Sequence, residues 1–277
     1  MNLVFARFRR RLAALTGIAL DADRQYLAES RLAPVMRAHG YDSFAHLVEA
    51  FEGHGNPLFQ RDVIDAMTTN ETLFFRDRTP FETFRSKVLP DLIAARAHER
   101  RLRFWCAACS TGQEAYSLAM TLDQDATALR GWSLEILATD LSTAAIDAAR
   151  NGSYSQFEVQ RGLSTSQLLR YFHRREEAWR VNEHLRARID FRDFNLLSDY
   201  SELGAFDVIF CRNVLMYFDS ENKQAVLGRL SNALSDGGYL YLGAAEATSE
   251  PNAYFTKVSE DGLWRTRRRA SPQLRLA

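Results

Sequence analysis

Apolar positions recur at helical spacing through the first 66 residues. Leu27, Leu32, Val35 and Met36 form one stripe, and Phe44, Leu47, Val48 and Phe51 form a second. Steps of three and four residues place such side chains on one face of an α-helix. Gly40 ends the first of these helices, and Asp42 or Ser43 can cap the next. Pro34 should kink or delimit the earlier helix unless it sits in a first turn. Gly53-His54-Gly55-Asn56-Pro57 reads as a turn. Residues 1–66 are thus expected to be an all-helical domain. A linker over 67–100 follows, closing with an amphipathic helix that ends near His98.

From Arg103 the period changes. Phe104-Trp105-Cys106-Ala107-Ala108 and Leu134-Glu135-Ile136-Leu137-Ala138-Thr139-Asp140 read as strands, as do Phe206 to Phe210 and Tyr239 to Leu242. Largely apolar runs suit strands covered on both faces. Helices are expected after Gly112, after a cap at Ser142 as far as Arg150, and over about 220–234. The alternation predicts an α/β fold with a doubly wound, mostly parallel sheet across 101–277. Residues 154–190 break the rhythm with a short helix near Ser166 to Tyr171, then Ala178-Trp179-Arg180-Val181 and Arg188-Ile189-Asp190-Phe191. That stretch is expected to be a small inserted β-subdomain with antiparallel strands.

Composition narrows the classes. The 277 residues are 46% hydrophobic and 25% charged with a formal net charge of +0, ordinary for a globular protein. No global field favours nucleic acid or an anionic membrane. Arg7, Arg9, Arg10 and Arg11 make a basic start, and Arg265, Arg267, Arg268, Arg269 and Arg275 a basic tail. Such ends are either solvated or dock onto an acidic surface. Cys106, Cys109 and Cys211 are too few for a disulfide framework. No apolar run approaches the 18 or so residues of a membrane span, and Met1 to Phe5 precede the arginines, the reverse of a secretory signal. A cytoplasmic protein is expected.

Candidate chemistry gathers at strand ends. Open α/β sheets bind ligands beyond the carboxyl ends of their strands. There, an apolar strand stops at Arg212 and Asn213, with Tyr217 one helical turn later. Ser110-Thr111-Gly112 supplies a turn after the first strand, with one glycine where a dinucleotide fingerprint has three. Asp140 closes the second strand, either as an acceptor for ribose hydroxyls or as a helix cap.

Together with Thr69-Asn70-Glu71-Thr72-Leu73-Phe74-Phe75-Arg76, these segments resemble the chemotaxis receptor methyltransferases, the CheR family. Ser110-Thr111-Gly112-Gln113-Glu114-Ala115-Tyr116-Ser117 is similar to that family's Ser-Thr-Gly-Glu-Glu-Pro-Tyr-Ser block, with Gln113 and Ala115 as departures. The resemblance implies transfer of a methyl group from S-adenosylmethionine (SAM) to glutamate side chains of chemoreceptors, leaving S-adenosylhomocysteine. It places cofactor contacts on Asn70, Thr72, Arg76, Glu114, Asp140, Asn195, Leu196, Arg212 and Asn213. It puts Arg76 and Tyr217 beside the transferred methyl and implies no metal. Read from residues alone, Arg76 could equally be a surface ion pair with Asp77 or Glu71, and Tyr217 core packing.

The resemblance also implies partners, the cytoplasmic methylation helices of chemoreceptors. Docking through a basic face would use Arg31 and Arg37, which Ala33 and Pro34 thin out. Some relatives grip a receptor's C-terminal pentapeptide through a Gly-rich loop; Phe172 to Trp179 contains no glycine, so independence from that peptide is expected. A monomer is expected. Rival readings are a SAM-binding adaptor without turnover, a nucleic-acid methyltransferase, and a redox site at Trp105-Cys106-Ala107-Ala108-Cys109. The segment after the 206–210 strand has no Asn/Asp-Pro-Pro-Tyr, and the six histidines show no ligand spacing.

Overall fold

The computed structural model describes residues 3–53, 56–246, 254–259 and 262–266. His54 and Gly55 of the expected turn, and Arg267, Arg268, Arg269 and Arg275 of the basic tail, lie outside the described residues. The helical part holds α1 (Leu3–Thr16), α2 (Gln25–His39), α3 (Phe44–Glu52) and α4 (Pro57–Met67). Gly40 takes the left-handed conformation (φ 72°) that closes α2 and donates its N–H to Met36 O. Ser43 caps α3, accepting from the His46 amide at 3.2 Å. Asn56 caps α4 with Pro57 in its first turn. Pro34 neither starts nor ends α2, which runs through it; its missing N–H costs one internal hydrogen bond. Phe8, Leu12, Leu32, Leu47, Phe51 and Val63 share a separate core.

After an irregular stretch the linker forms α5 (Thr79–Thr83), a π-helical turn over Phe84–Val88, and α6 (Leu89–Ala95). The rest alternates: β1 (Arg101–Ala107), α7 (Gln113–Gln124), β2 (Ser133–Asp140), α8 (Thr143–Asn151), then an insertion of β3 (Ser153–Ser155), α9 (Gln156–Gln160), α10 (Thr165–Tyr171), β4 (Phe172–Arg175) and β5 (Ala178–Val181). It continues through α11 (Glu183–Arg186), β6 (Ile189–Asp193), β7 (Phe206–Cys211), α12 (Ser220–Ala233), β8 (Leu234–Leu242), β9 (Phe255–Lys257) and β10 (Leu263–Thr266).

The large sheet has the order β6-β2-β1-β7-β8-β10-β9. Its first five strands are parallel, and β10 and β9 finish it antiparallel. Successive residues of β1 serve opposite faces: Phe104 and Cys106 enter the core with α7, whereas Trp105 and Ala107 enter the core with α12. Strand order reverses between β1 and β7, the switch point where such sheets open a ligand crevice. The insertion folds as an antiparallel sheet, β3-β5-β4. One expectation is corrected. Ile189 and Phe191 do not belong to the insertion but to β6, which pairs in parallel with β2 from Ile136↔Ile189 to Asp140↔Asp193. A short edge strand with alternating burial looks the same in sequence whether its partner runs parallel or antiparallel.

Candidate active site

A cavity of about 590 Å³ opens at the switch point and is lined by all ten expected site residues: Asn70, Thr72, Arg76, Glu114, Asp140, Asn195, Leu196, Arg212, Asn213 and Tyr217. Four parallel strands open onto it, and the stretch after α4 adds Asn70, Thr72 and Arg76. β1 leads into Ser110, β2 ends on Asp140, β6 leads into Asn195, and β7 leads into Arg212. Asp140 is buried. Its Oδ2 accepts the Ser110 amide at 2.7 Å and its Oδ1 the Ser142 amide at 2.9 Å. Burial pushes its carboxyl up from the usual range, against the pull of those amides. Ser142, rather than Asp140, caps α8, accepting from the Ala145 amide at 3.1 Å. Asp140 therefore remains an acceptor with lone pairs to spare.

The residues flanking Arg76 are held under strain. Phe75, Asp77 and Arg78 have φ of 50°, 64° and 46°, a left-handed region that costs a non-glycine residue about 1 kcal/mol or more. Arg76 donates to the Glu71 carbonyl oxygen at 3.1 Å, closing the loop on itself. The expected alternative of an ion pair with Asp77 or Glu71 does not form: Arg212 takes the Asp77 carboxylate, and Arg161 lies 3.5 Å from that of Glu71. Arg212 donates to Asp77 Oδ2 at 2.6 Å, to the Arg76 carbonyl at 3.0 Å and to Glu114 Oε2 at 2.8 Å. Its side chain is only 1% exposed. Burial raises the Glu114 carboxyl, and Arg212 opposes the rise. On the far side, the Phe75 amide donates to Ser117 Oγ at 2.8 Å. A Cβ on Gly162 would come within 1.8 Å of the Phe74 carbonyl, so only glycine lets the insertion pack there.

Tyr217 stands at the rim, 38% exposed beside Met216 at 56%, so it is not core packing. Sequence reasoning missed what holds it. Glu246, buried, accepts the Asn213 and Gly243 amides at 2.8 Å on Oε2 and the Met216 amide at 3.1 Å on Oε1. An acid shortly after a strand's carboxyl end was a readable signal. Sequence reasoning also missed that the helical part builds a wall. Ala19 donates its amide to the Tyr217 carbonyl at 2.8 Å, Ile18 bridges Phe218, and Thr16, Ile18, Ala19 and Leu20 line the cavity. Asn195 spends its amide on the Leu15 carbonyl at 2.7 Å. Arg31, expected on an outward basic face, instead donates to the Met67 carbonyl and Thr69 Oγ1, both at 3.1 Å. Burial pushes the Cys106 and Cys109 thiols well up, which removes the thiolate that redox chemistry needs.

The CheR methyltransferase all-alpha domain matches residues 4–68, and the CheR methyltransferase SAM binding domain matches residues 70–263. The chain belongs to the CheR methyltransferase family. It is 43% identical over 250 residues to chemotaxis protein methyltransferase Cher2 of Pseudomonas putida, spanning 89% of this chain and 90% of that one. Identity is 45% over 258 residues to chemotaxis protein methyltransferase 1 of Pseudomonas aeruginosa, spanning 91% and 93%. It is 35% over 258 residues to the chemotaxis protein methyltransferase of Escherichia coli, spanning 91% and 87%. This CheR protein is thus a SAM-dependent chemotaxis methyltransferase. Its cavity fits the cofactor: the volume lies within the roughly 300–1,000 Å³ of small-molecule sites. Asp140 offers a buried acceptor for hydroxyls, and Leu141, Phe194 and Leu196 give an apolar wall for a purine. Among the described residues, no helix is long and apolar enough to cross a membrane.

Proposed function

We propose that the cavity moves the methyl group of SAM onto glutamate side-chain carboxylates of chemoreceptors, giving glutamyl methyl esters. The observation that carries this reading is that Arg76 and the rim residue Tyr217 line the same cavity as the buried Asp140. The bound cofactor supplies an electrophilic methyl on a sulfonium. A glutamate with a reference pKa near 4.3 is protonated in only about one molecule in 500 at pH 7, so no general base is required. The protein's task is then positioning, which favours such a reaction by about 7–11 kcal/mol. Arg76 orients the incoming carboxylate through its planar fork. Tyr217 donates a hydrogen bond to the same group.

Around them, Asp140 accepts from the ribose hydroxyls, Leu196 flanks the purine, and Glu114 faces the amino-acid end. Asn70, Thr72 and Asn213 complete the polar wall. Asn195 and Arg212 serve chiefly by fixing that wall, since their amide and guanidinium are taken up by Leu15, Glu114 and Asp77. In this reading residues 1–66 dock a monomeric enzyme on cytoplasmic methylation helices, 67–100 supply cofactor contacts, and 101–277 supply the rest. The insertion presents a glycine-free hairpin, β4–β5, and the enzyme works without a receptor tail pentapeptide.

The test is transfer of radiolabelled methyl from SAM to a chemoreceptor cytoplasmic fragment, with and without its C-terminal pentapeptide. Mild alkali should release the label as methanol, and both fragments should be labelled at the same rate. Alkali-stable label would refute the glutamyl ester, and labelling confined to the fragment with its tail would refute pentapeptide independence.

A further inference from the structure

Asp77 does not line the cavity, and its side chain is 47% exposed, so neither cofactor contact nor burial explains it. It nonetheless occupies a left-handed backbone position (φ 64°) immediately after Arg76. Its carboxylate meets the buried Arg212, whose guanidinium also holds the Arg76 carbonyl. Through its other terminal nitrogen, Nη1, the same guanidinium holds Glu114 in the cavity wall. A turn strained at three of four consecutive residues does not stay in place by itself; something outside it must over-determine it. Here the outside contacts are the Arg212 clamp on one side and Ser117 on the other.

We infer that Asp77 is a positioning residue: clamped by Arg212, it holds the strained turn that presents Arg76 to the substrate carboxylate. The inference rests on the proposed role of Arg76. Asp is suited to this place because its short polar side chain tolerates the left-handed region better than most. Asn shares that tolerance, so Asp77→Asn removes the charge of the clamp while keeping the backbone preference.

The experiment is a double-mutant cycle of Asp77→Asn and Arg76→Ala, reading kcat on a chemoreceptor fragment, equilibrium SAM binding and thermal melting. Asp77→Asn alone should lower kcat roughly tenfold to a hundredfold, the range in which a misplaced catalytic group falls. SAM affinity and melting should stay at the wild-type values. In the Arg76→Ala background the same substitution should cost nothing further. Wild-type kcat in Asp77→Asn, or an equal loss in both backgrounds, would overturn the inference. Full turnover by Arg76→Ala alone would refute the role of Arg76 first, a failure visible before Asp77 is touched. Should Asp77→Asn fail to fold, Asp77→Ser carries the same cycle.

Discussion

At one end of the cavity Asp140 is fixed by backbone amides 30 and 2 residues away, Ser110 and Ser142. At the other end Arg76 sits on a loop and Tyr217 ends a 3-10 turn over Leu215–Tyr217, both fixed by side chains from far along the chain. Arg212 reaches Asp77 across 135 residues and Glu114 across 98, and Glu246 reaches Asn213 across 33. The first arrangement comes with the sheet: adjacent parallel strands place their exits side by side. The second has to be assembled from side chains distant in sequence, and left-handed backbone occurs at both ends, at Ala108 and Ser110 in the first and at Phe75, Asp77, Arg78 and Asn213 in the second. With the proposed roles, cofactor binding and methyl transfer should therefore fail in different ways when residues are changed.

The largest expected effect is at the backbone-held end. Asp140→Ala leaves two buried amides unpaired, at about 1–3 kcal/mol each, and removes the hydroxyl acceptor. SAM affinity measured calorimetrically should fall about a hundredfold or more; an unchanged affinity would mean the cofactor sits elsewhere. At the assembled end, Glu246→Gln leaves one acceptor oxygen for three amides. It should cost about 1–2 kcal/mol in denaturant unfolding and lower kcat more than it lowers SAM affinity. Equal losses in both would dissolve the distinction between the ends.

The smallest effect is with pH. Burial raises the carboxyls of Asp140 and Glu114, so both take up protons above the ordinary range near 4. A carboxyl raised by folding binds more protons in the folded chain. Stability of the free enzyme should then fall slightly as pH rises through the window between the ordinary and raised values. SAM affinity, which uses the ionised forms, should rise across the same window. Comparing wild type with Glu114→Gln by melting and calorimetry isolates the Glu114 share, and parallel slopes would contradict it.

How much of this was legible follows the same division. The helical stripes, the parallel strands and the Ser142 cap were readable because each depends on residues close in sequence. The ten site residues were placed by strand ends and by resemblance, and one cavity collects them. What was not readable is which groups hold one another. Nothing near Arg212 announces that its partners are Asp77 and Glu114, or that Arg31 turns inward to Met67 and Thr69. The parallel pairing of β6 escaped for the same reason, since an edge strand's partner is a property of the fold.

The contact of Ile18 with Phe218, and of Asn195 with Leu15, bears on how such enzymes can be retargeted. On the docking role proposed for residues 1–66, a helical module borrowed from a relative to redirect the enzyme to another receptor cannot be spliced in at residue 67 as a free cartridge. Leu15 is tied to Asn195, and Ile18 and Ala19 are tied to Phe218 and Tyr217, so a graft must retain the host's own stitch or import the matching segments with it. Compatibility in chimeras should therefore track those few residues more closely than overall similarity of the exchanged helices.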